Sequence, residues 1–296
     1  MREGYRVGLD YLGAATALLR RARSAHPTAG LLEAADLQWW WRASRPTDVF
    51  PQLFWFDDRG QPEAALIATD WGDGVALDPI VLPDAKPAWI THVIERGLAH
   101  AGESGFKTID IAVDRTDDLL CRLLTSHGFA MTPGASLEVV CSWRAAPPGH
   151  MGRPLHDGYR LCSRLETEQC PHHMAGRSGQ DVGERLRQAS LYRSDLDLLI
   201  LDQHDQVAAY GLFCFDPQTA TGLVEPMRTE SAHQRRGLAH HLLAAGMSRL
   251  AHAGAQRIKL CYSPGNQAAR DLYLSHGFEP HQQTAVFSQR DLASAS

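Results

Sequence analysis

Apolar residues along this chain recur with two periods. Ile109, Ile111 and Val113 alternate with polar neighbours, the period-two signature of a half-buried strand. Leu243, Met247 and Leu250 recur at i, i+4 and i+7, the apolar stripe of a helix. Read in this way, the second half predicts a strand over 159–165 and one or two helices over 166–192, broken near 176–179. Strands over 197–201, 207–215 and 221–229 follow, then a helix over 237–253 and a strand over 257–262. A helix over 267–276, after the Pro264-Gly265 turn, and a closing strand at 285–288 complete the half. The first half predicts the same series. Helices cover 9–23 and 31–42, and strands lie near 53–56, 64–69 and 75–81. A helix carrying Ile90, Val93, Ile94 and Leu98, a strand over 109–113 and a helix over 119–126 follow.

The two series share their ends. Gly4-Tyr5-Arg6-Val7 opens the first and Gly158-Tyr159-Arg160-Leu161 the second; Ser126-His127-Gly128-Phe129 and Ser275-His276-Gly277-Phe278 close their bodies at similar separations. A repeat of this length means tandem domains, since solenoid units run to only about 20–50 residues. The segment from Arg144 to Asp157 contains Pro147-Pro148-Gly149 and Gly152-Arg153-Pro154, the proline and glycine density of a linker. The expected division is 1–146, a linker over 147–157, and 158–296. The expected class is α/β (α+β), each domain a mixed twisted sheet flanked by helices.

Composition narrows the field. The 296 residues are 44 % hydrophobic and 21 % charged, with a net charge of −5, so no clustered basic surface for nucleic acid is expected. No apolar run approaches 18 residues, and Arg20, Arg21 and Arg23 interrupt the N-terminal stretch. Neither a membrane span nor a signal peptide is expected. Cys121, Cys141, Cys162, Cys170, Cys214 and Cys261 lack CxxC spacing and are read as reduced, buried thiols of a cytoplasmic protein, monomeric or homodimeric.

Candidate chemistry concentrates in the second copy. Gln234-Arg235-Arg236-Gly237-Leu238-Ala239 lies between a strand and a long helix. Gly237 permits close backbone approach and Ala239 is small, while the first helical turn leaves N–H groups unpaired under a partial positive charge. The dipole alone is worth only about 0.3–1 kcal/mol for an exposed anion. Several converging N–H groups must therefore carry a pyrophosphate, with Arg235 and Arg236 free to meet a further phosphate. Taken by itself, the loop is equally a helix start with two solvated arginines.

Its neighbours add weight. Glu225-Pro226-Met227-Arg228-Thr229 precedes the loop, and Asn266-Gln267-Ala268-Ala269-Arg270-Asp271-Leu272-Tyr273 follows it, ahead of Gly277-Phe278. The run from Glu225 to Phe278 resembles the acyl-CoA core of the GCN5-related N-acetyltransferase (GNAT) family. Gln234, Gly237 and Ala239 match its Q/R-x-x-G-x-G/A signature. Asn266, Ala269, Leu272, Tyr273, Gly277 and Phe278 match its N-x-x-A-x-x-L-Y-x-x-x-G-F segment. The resemblance implies an acyltransferase with acetyl-CoA as donor. The backbone of Met227, Arg228 and Thr229 would pair with the pantetheine arm, the loop with the pyrophosphate, and Asn266 with the donor. An amine of pKa near 10 is neutral in only about one part in a thousand at pH 7, so deprotonation costs about 4 kcal/mol. Glu225 is the candidate base. Tyr273, with an ordinary pKa near 10, is the candidate proton donor to the leaving thiolate at almost no cost, and a backbone N–H of 227–229 would meet the oxyanion. Other roles stay open: Glu225 as structural or as an ammonium ligand, Tyr273 as a packing aromatic, Asn266 as a helix cap.

The first copy lacks these groups. Aligning Asp78-Pro79 with Glu225-Pro226 sets Pro87 opposite Gln234 and Ile90 opposite Gly237. Aligning the Ser-His-Gly-Phe ends sets Asp117 opposite Asn266 and Leu124 opposite Tyr273. The first domain is expected to keep the fold without a CoA site. This resembles the non-catalytic half of tandem acetyltransferases such as mycothiol synthase-like proteins, without their thiol-glycoside substrate being carried over. Trp39-Trp40-Trp41 is read as core or interface packing, or as an aromatic substrate wall. Cys170-Pro171-His172-His173 lacks a second ligand pair, so no metal is expected, and His172 and His173 are read as possible substrate contacts. The expected reaction is transfer of acetyl to a primary amine of a small molecule. The competing readings are a protein or peptide N-acetyltransferase and a non-enzymatic acyl-CoA-binding or regulatory protein.

Overall fold

The computed structural model describes residues 1–146 and 154–290. The prolines and glycines at 147–149 and 152–153, on which the linker expectation partly rests, lie outside the described residues. In chain order the strands and helices are β1 (Arg2–Arg6), α1 (Gly8–Ala25), α2 (Ala34–Trp40), β2 (Gln52–Phe56), β3 (Pro62–Asp70), β4 (Val75–Val81), α3 (Pro87–Glu103), β5 (Thr108–Asp114), α4 (Asp118–Ser126), β6 (Ala130–Met131) and β7 (Val140–Ala145). Then come β8 (Tyr159–Ser163), α5 (Ala175–Ser178), α6 (Val182–Gln188), β9 (Asp197–Asp202), β10 (Val207–Asp216), β11 (Thr221–Thr229), α7 (Leu238–Ala253), β12 (Arg257–Tyr262), α8 (Gln267–Ser275) and β13 (Glu279–Arg290). Among the described residues no helix is long and apolar enough to cross a membrane.

The chain forms two compact units. The first holds residues 1–37, 44–140 and the chain from Gln282 onward; the second holds 38–43 and 141–281. These limits differ from a single cut near residue 150. The first unit orders its strands β1-β2-β3-β4-β5, followed by the 282–290 part of β13. The second orders them β7-β12-β11-β10-β9-β8. Each unit thus takes its last strand from the other half of the sequence.

The physical reason lies at the edge of β5. After Phe129 the first copy forms only the two-residue β6 and then β7, which joins the second unit, so its own chain supplies no full strand beside β5. Residues 284–290 fill that edge instead, antiparallel, from Thr284↔Asp114 to Arg290↔Thr108. The fit is apolar: Phe287 and Ala285 join Leu66, Ile94, Ile109, Ile111, Leu124 and Phe129 in one core. In the second unit β7 brings the Cys141 Sγ to 2.7 Å from Cys261 Sγ on β12. Sequence spacing gave no sign of that pairing, and Cys170, read as buried, is exposed.

Most predicted elements form where the periodicity sets them. The region read as helical over 166–192 is the exception. It contains a 3₁₀ turn at Arg164–Thr167 and only the short α5 and α6. Pro171 and Gly179, the latter at φ +99, interrupt it. The tryptophan run divides. Trp39 and Trp41 are buried, Trp41 Nε1 donates to Gln188 Oε1 at 2.8 Å, and the Arg185 guanidinium lies 4.1 Å over its ring. Packing within the second unit, rather than a substrate wall, occupies both.

The Ser-His-Gly-Phe repeat is a helix stop. Gly128 and Gly277 take φ of +83 and +78, which glycine adopts without steric cost. The following Phe N–H bonds back to Leu124 O in one copy and Tyr273 O in the other, and each Phe ring is buried. The exchanged strand makes a testable demand. Phe287→Ala should cost about 3–5 kcal/mol, and that loss should fall on the first unit, far away in sequence. Hydrogen exchange at the amides of 108–114 is the measurement: they should lose protection while those of 197–202 keep theirs.

Candidate functional site

The site in the second unit begins where two parallel strands stop pairing. β11 and β12 pair from Thr221↔Arg257 to Val224↔Leu260 and no further. Glu225 is the next residue. On its other side β11 carries one extra residue, because Gly211↔Met227 and Phe213↔Val224 enclose a register shift. A bulge of this kind bends a strand and redirects its side chains. It falls on Glu225-Pro226, the segment holding the candidate base. In the first copy β4 runs against β3 in unbroken register from Ala64↔Val81 to Asp70↔Val75, with no bulge at Asp78-Pro79.

Beyond the bulge, Met227, Arg228 and Thr229 pair with Gly211, Tyr210 and Ala209 of β10 and leave their β12-facing edge open. The Thr229 Oγ1 is sealed from solvent with no partner. Arg228 Nε donates to Glu230 Oε1 at 3.1 Å, and Arg177 reaches the other oxygen at 3.2 Å. Both arginines are therefore tied to a surface acid.

The loop from Gln234 to Gly237 is exposed. Gly237 caps α7 with φ +75 and has open space around it. Arg235 also takes a positive φ of 62, uncommon for a residue with a side chain. The first helical bond runs from His241 N to Gly237 O at 3.1 Å. The N–H groups of Leu238, Ala239 and His240 therefore lie ahead of it without an intrahelical acceptor. Gln234 Nε2 donates to Thr229 O at 3.4 Å, and Arg236 Nη1 to the Tyr159 hydroxyl at 2.9 Å. The first copy has no such loop. Its α3 starts directly at Pro87, which has no N–H to offer.

Tyr273 is 8 % exposed. Burial first, then the charge of Glu225, pushes its phenol up to about 12. The structure thus brings the two candidate catalytic groups within electrostatic reach. It also corrects the expectation that Tyr273 donates a proton at almost no cost. Against a thiol of pKa about 8.5–10, full transfer is uphill by roughly 3–5 kcal/mol. Asn266 takes the capping role: its Oδ1 accepts from Ala269 N at 3.1 Å at the start of α8. Asp117 does the same for α4, accepting from Leu120 N at 3.0 Å. The two positions share this capping role.

His172 and His173 are turned inward, with side chains 4 % and 2 % exposed, so they do not offer the substrate contacts expected of them. His172 Nδ1 accepts from Met174 N, which leaves Nε2 to donate to Asp197 Oδ2 at 3.1 Å. Tyr192 donates to the same oxygen at 2.9 Å, and His173 Nε2 lies 3.3 Å from Oδ1. Burial drives the Asp197 carboxyl upward, but the two histidines outweigh it and hold it at about 2. The three residues bring ligand-type atoms within 4.8 Å of one another. The His172 ring nevertheless spends its Nε2–H on the carboxylate, the arrangement of a hydrogen-bonded buried anion. Asp197 was missed by sequence reasoning. A lone acid opening an apolar strand, 24 residues beyond the histidines, carries no spacing signal.

Residues 162–278 match the model of the Acetyltransferase (GNAT) family. Residues 162–278 form a domain of the GNAT acetyltransferase family. Solved structures share the fold along the whole chain. A tandem GNAT protein from the clavulanic acid biosynthesis pathway is 13 % identical, covers 98 % of each chain and has a TM-score of 0.71. A GCN5-related N-acetyltransferase from Sphaerobacter thermophilus is 12 % identical, covering 98 % of this chain and 95 % of that one, with a TM-score of 0.62. One from Kribbella flavida is 16 % identical, covering 91 % and 95 %, with a TM-score of 0.53. A comparison with curated proteins found no match. At these identities the likeness is one of fold, and it extends the GNAT-like architecture to both halves.

In the GNAT domain, Asn266 can be tested as a cap. Asn266→Ala should cost about 1 kcal/mol, while Asn266→Asp, the residue type at position 117, should be nearly neutral. Urea unfolding of both variants decides it. Equal losses would mean that the amide nitrogen, not the capping oxygen, matters.

Proposed function

We propose that the GNAT domain transfers acetyl from acetyl-CoA to a primary amine of a small molecule by direct attack in a ternary complex. The observation that carries this reading is the fork at Glu225: strand pairing ends, the bulge re-aims β11, and an acid stands at that point. The surroundings fit the donor. The open backbone edge of Met227, Arg228 and Thr229 suits the amide groups of a pantetheine arm. Gln234, Arg235, Arg236, Gly237, Leu238 and Ala239 offer N–H groups and guanidinium charge to phosphates. Asn266 keeps its amide nitrogen for the donor while its oxygen caps α8. Acetyl-CoA supplies the activated thioester.

The chain's own groups would then act in sequence. Glu225 takes a proton from the bound ammonium, directly or through water. A backbone N–H along 227–229 offers a hydrogen bond where negative charge gathers. Tyr273 donates a hydrogen bond to the departing sulfur. Its raised pKa makes it a donor that retains its proton while Glu225 is charged. Once Glu225 has accepted the amine's proton, one of the causes holding the phenol high disappears. The phenol then becomes a better acid as the thiolate forms.

Release of CoA thiol from acetyl-CoA across a panel of primary amines, polyamines and peptides tests this reading. Turnover should appear with a small amine and fall about 10²–10⁴-fold in Glu225→Gln. Acetyl-CoA binding with no acceptor turning over would make the domain a donor-binding module, and turnover only on peptides would make it a peptide acetyltransferase. Gly237→Glu should abolish acetyl-CoA binding in calorimetry. Tyr273→Phe should lower kcat more than donor affinity, and equal loss of both would make the phenol a binding group.

A further inference from the structure

The first unit contains a cavity of about 430 Å³, within the size range of small-molecule sites. It opens where β4 and β5 part. Those strands pair only at Val75↔Ile109 and Ala76↔Asp110. The walls are the chain that follows on each side, residues 78–83 and 112–114, closed by Leu19, Ala22, Ile90 and Leu120 from three helices.

The chemistry of this lining is one-sided. It includes Asp78, Asp114 and Asp117 and no lysine, arginine or histidine. A polyanion such as CoA is repelled there, and Pro87 at the start of α3 withholds the N–H that a phosphate would need. Two of the acids are already engaged. Asp114 Oδ1 accepts from Thr116 N at 2.9 Å and Thr116 Oγ1 at 2.7 Å, and Asp117 Oδ1 caps α4. Asp78 is different: its Oδ2 is sealed from solvent and has no hydrogen-bond partner among the described residues, and the same holds for Gln282 Oε1. Both residues line the cavity, and both atoms are acceptors. An unpaired buried acceptor costs about 1–3 kcal/mol, more when charged. The missing complement is a donor, and a cationic one.

We propose that this cavity binds a small primary ammonium compound with an apolar body. The ammonium donates to the Asp78 carboxylate. A second N–H, on the head or on the body, donates to Gln282 Oε1, and the body lies against Leu19, Ile90 and Leu120. The site belongs to the first unit and does not depend on acetyl transfer in the GNAT domain.

Burial, followed by the charge of Asp36, pushes the Asp78 carboxyl up to about 7. The other titratable groups acting on it or lining the cavity are Tyr11 from α1, Asp36 from α2, and Asp114 and Asp117 at β5 and α4. Burial and Asp78 raise the Tyr11 phenol, so it stays neutral near pH 7. The carboxyl is protonated below about 7 and charged above, so ammonium affinity should rise from pH 6 to pH 8. Without ligand the sign reverses for stability. A carboxyl whose folded pKa is raised destabilises the fold as pH climbs from its ordinary range through 7.

Calorimetry on the full chain at pH 8 provides the test, with phenethylammonium and n-hexylammonium chloride set against 2-phenylethanol and hexan-1-ol. Each ammonium should bind at least tenfold more tightly than its alcohol. Asp78→Asn should erase that preference, and Gln282→Leu should reduce it. Gly237→Glu should leave it intact. Asp78→Asn should also raise the melting temperature, by more at pH 8 than at pH 5, which establishes that the variant is folded. Two results overturn the proposal: alcohols binding as well as ammoniums, including no binding of either, or a preference that survives Asp78→Asn. A preference lost in Glu225→Gln instead would assign amine binding to the GNAT domain alone.

Discussion

Both units depend on a parallel strand pair that gives up its hydrogen bonds after a few residues. β11 and β12 hold together through four pairs, from Thr221↔Arg257 to Val224↔Leu260. β4 and β5 hold through two. Unpaired main-chain groups inside a protein need partners. A fork of this kind is a place where a ligand's polar groups can complete the pairing.

The copies have diverged in local chemistry more than in framework. Between them the second has gained one residue in β11, a left-handed glycine before α7 and a phenol where the first keeps the fully buried Leu124. Each change is small on the scale of folding energy. Together they set a bulged strand, a glycine-led helix start and a phenol where the first copy has an unbroken strand, a proline-led helix and a leucine.

Much of this was legible in the sequence because it rests on local patterns. Periodicity located most strands and long helices, and the Gln234 to Ala239 segment marked a helix start with its N–H groups free. The Ser-His-Gly-Phe repeat marked two equivalent helix stops. The bulge at Glu225-Pro226 was not legible, since it exists only in the register between β10 and β11. The altered acidity of Tyr273 was hidden too, because it arises from burial and from a charge 48 positions away in the chain. Nor could spacing reveal that Asn266 and Asp117 do the same work, since the identity of a cap is settled by which N–H its oxygen meets. The exchange of last strands was hidden for the same reason: any strand with Ala285 and Phe287 on its inner face would satisfy the pattern, whichever sheet it enters.

That exchange has a consequence for how the protein is made. β5 ends at Asp114, and the strand that pairs with it starts its contact only at Thr284. At a ribosomal pace of about 5–20 residues per second, the edge of β5 waits roughly ten to thirty seconds for its neighbour. During that interval an open strand edge faces the cell, a template for wrong pairing. A nascent chain that has reached Tyr262 already holds every strand of the second sheet, β7 to β12, while the first sheet still lacks the strand that closes β5.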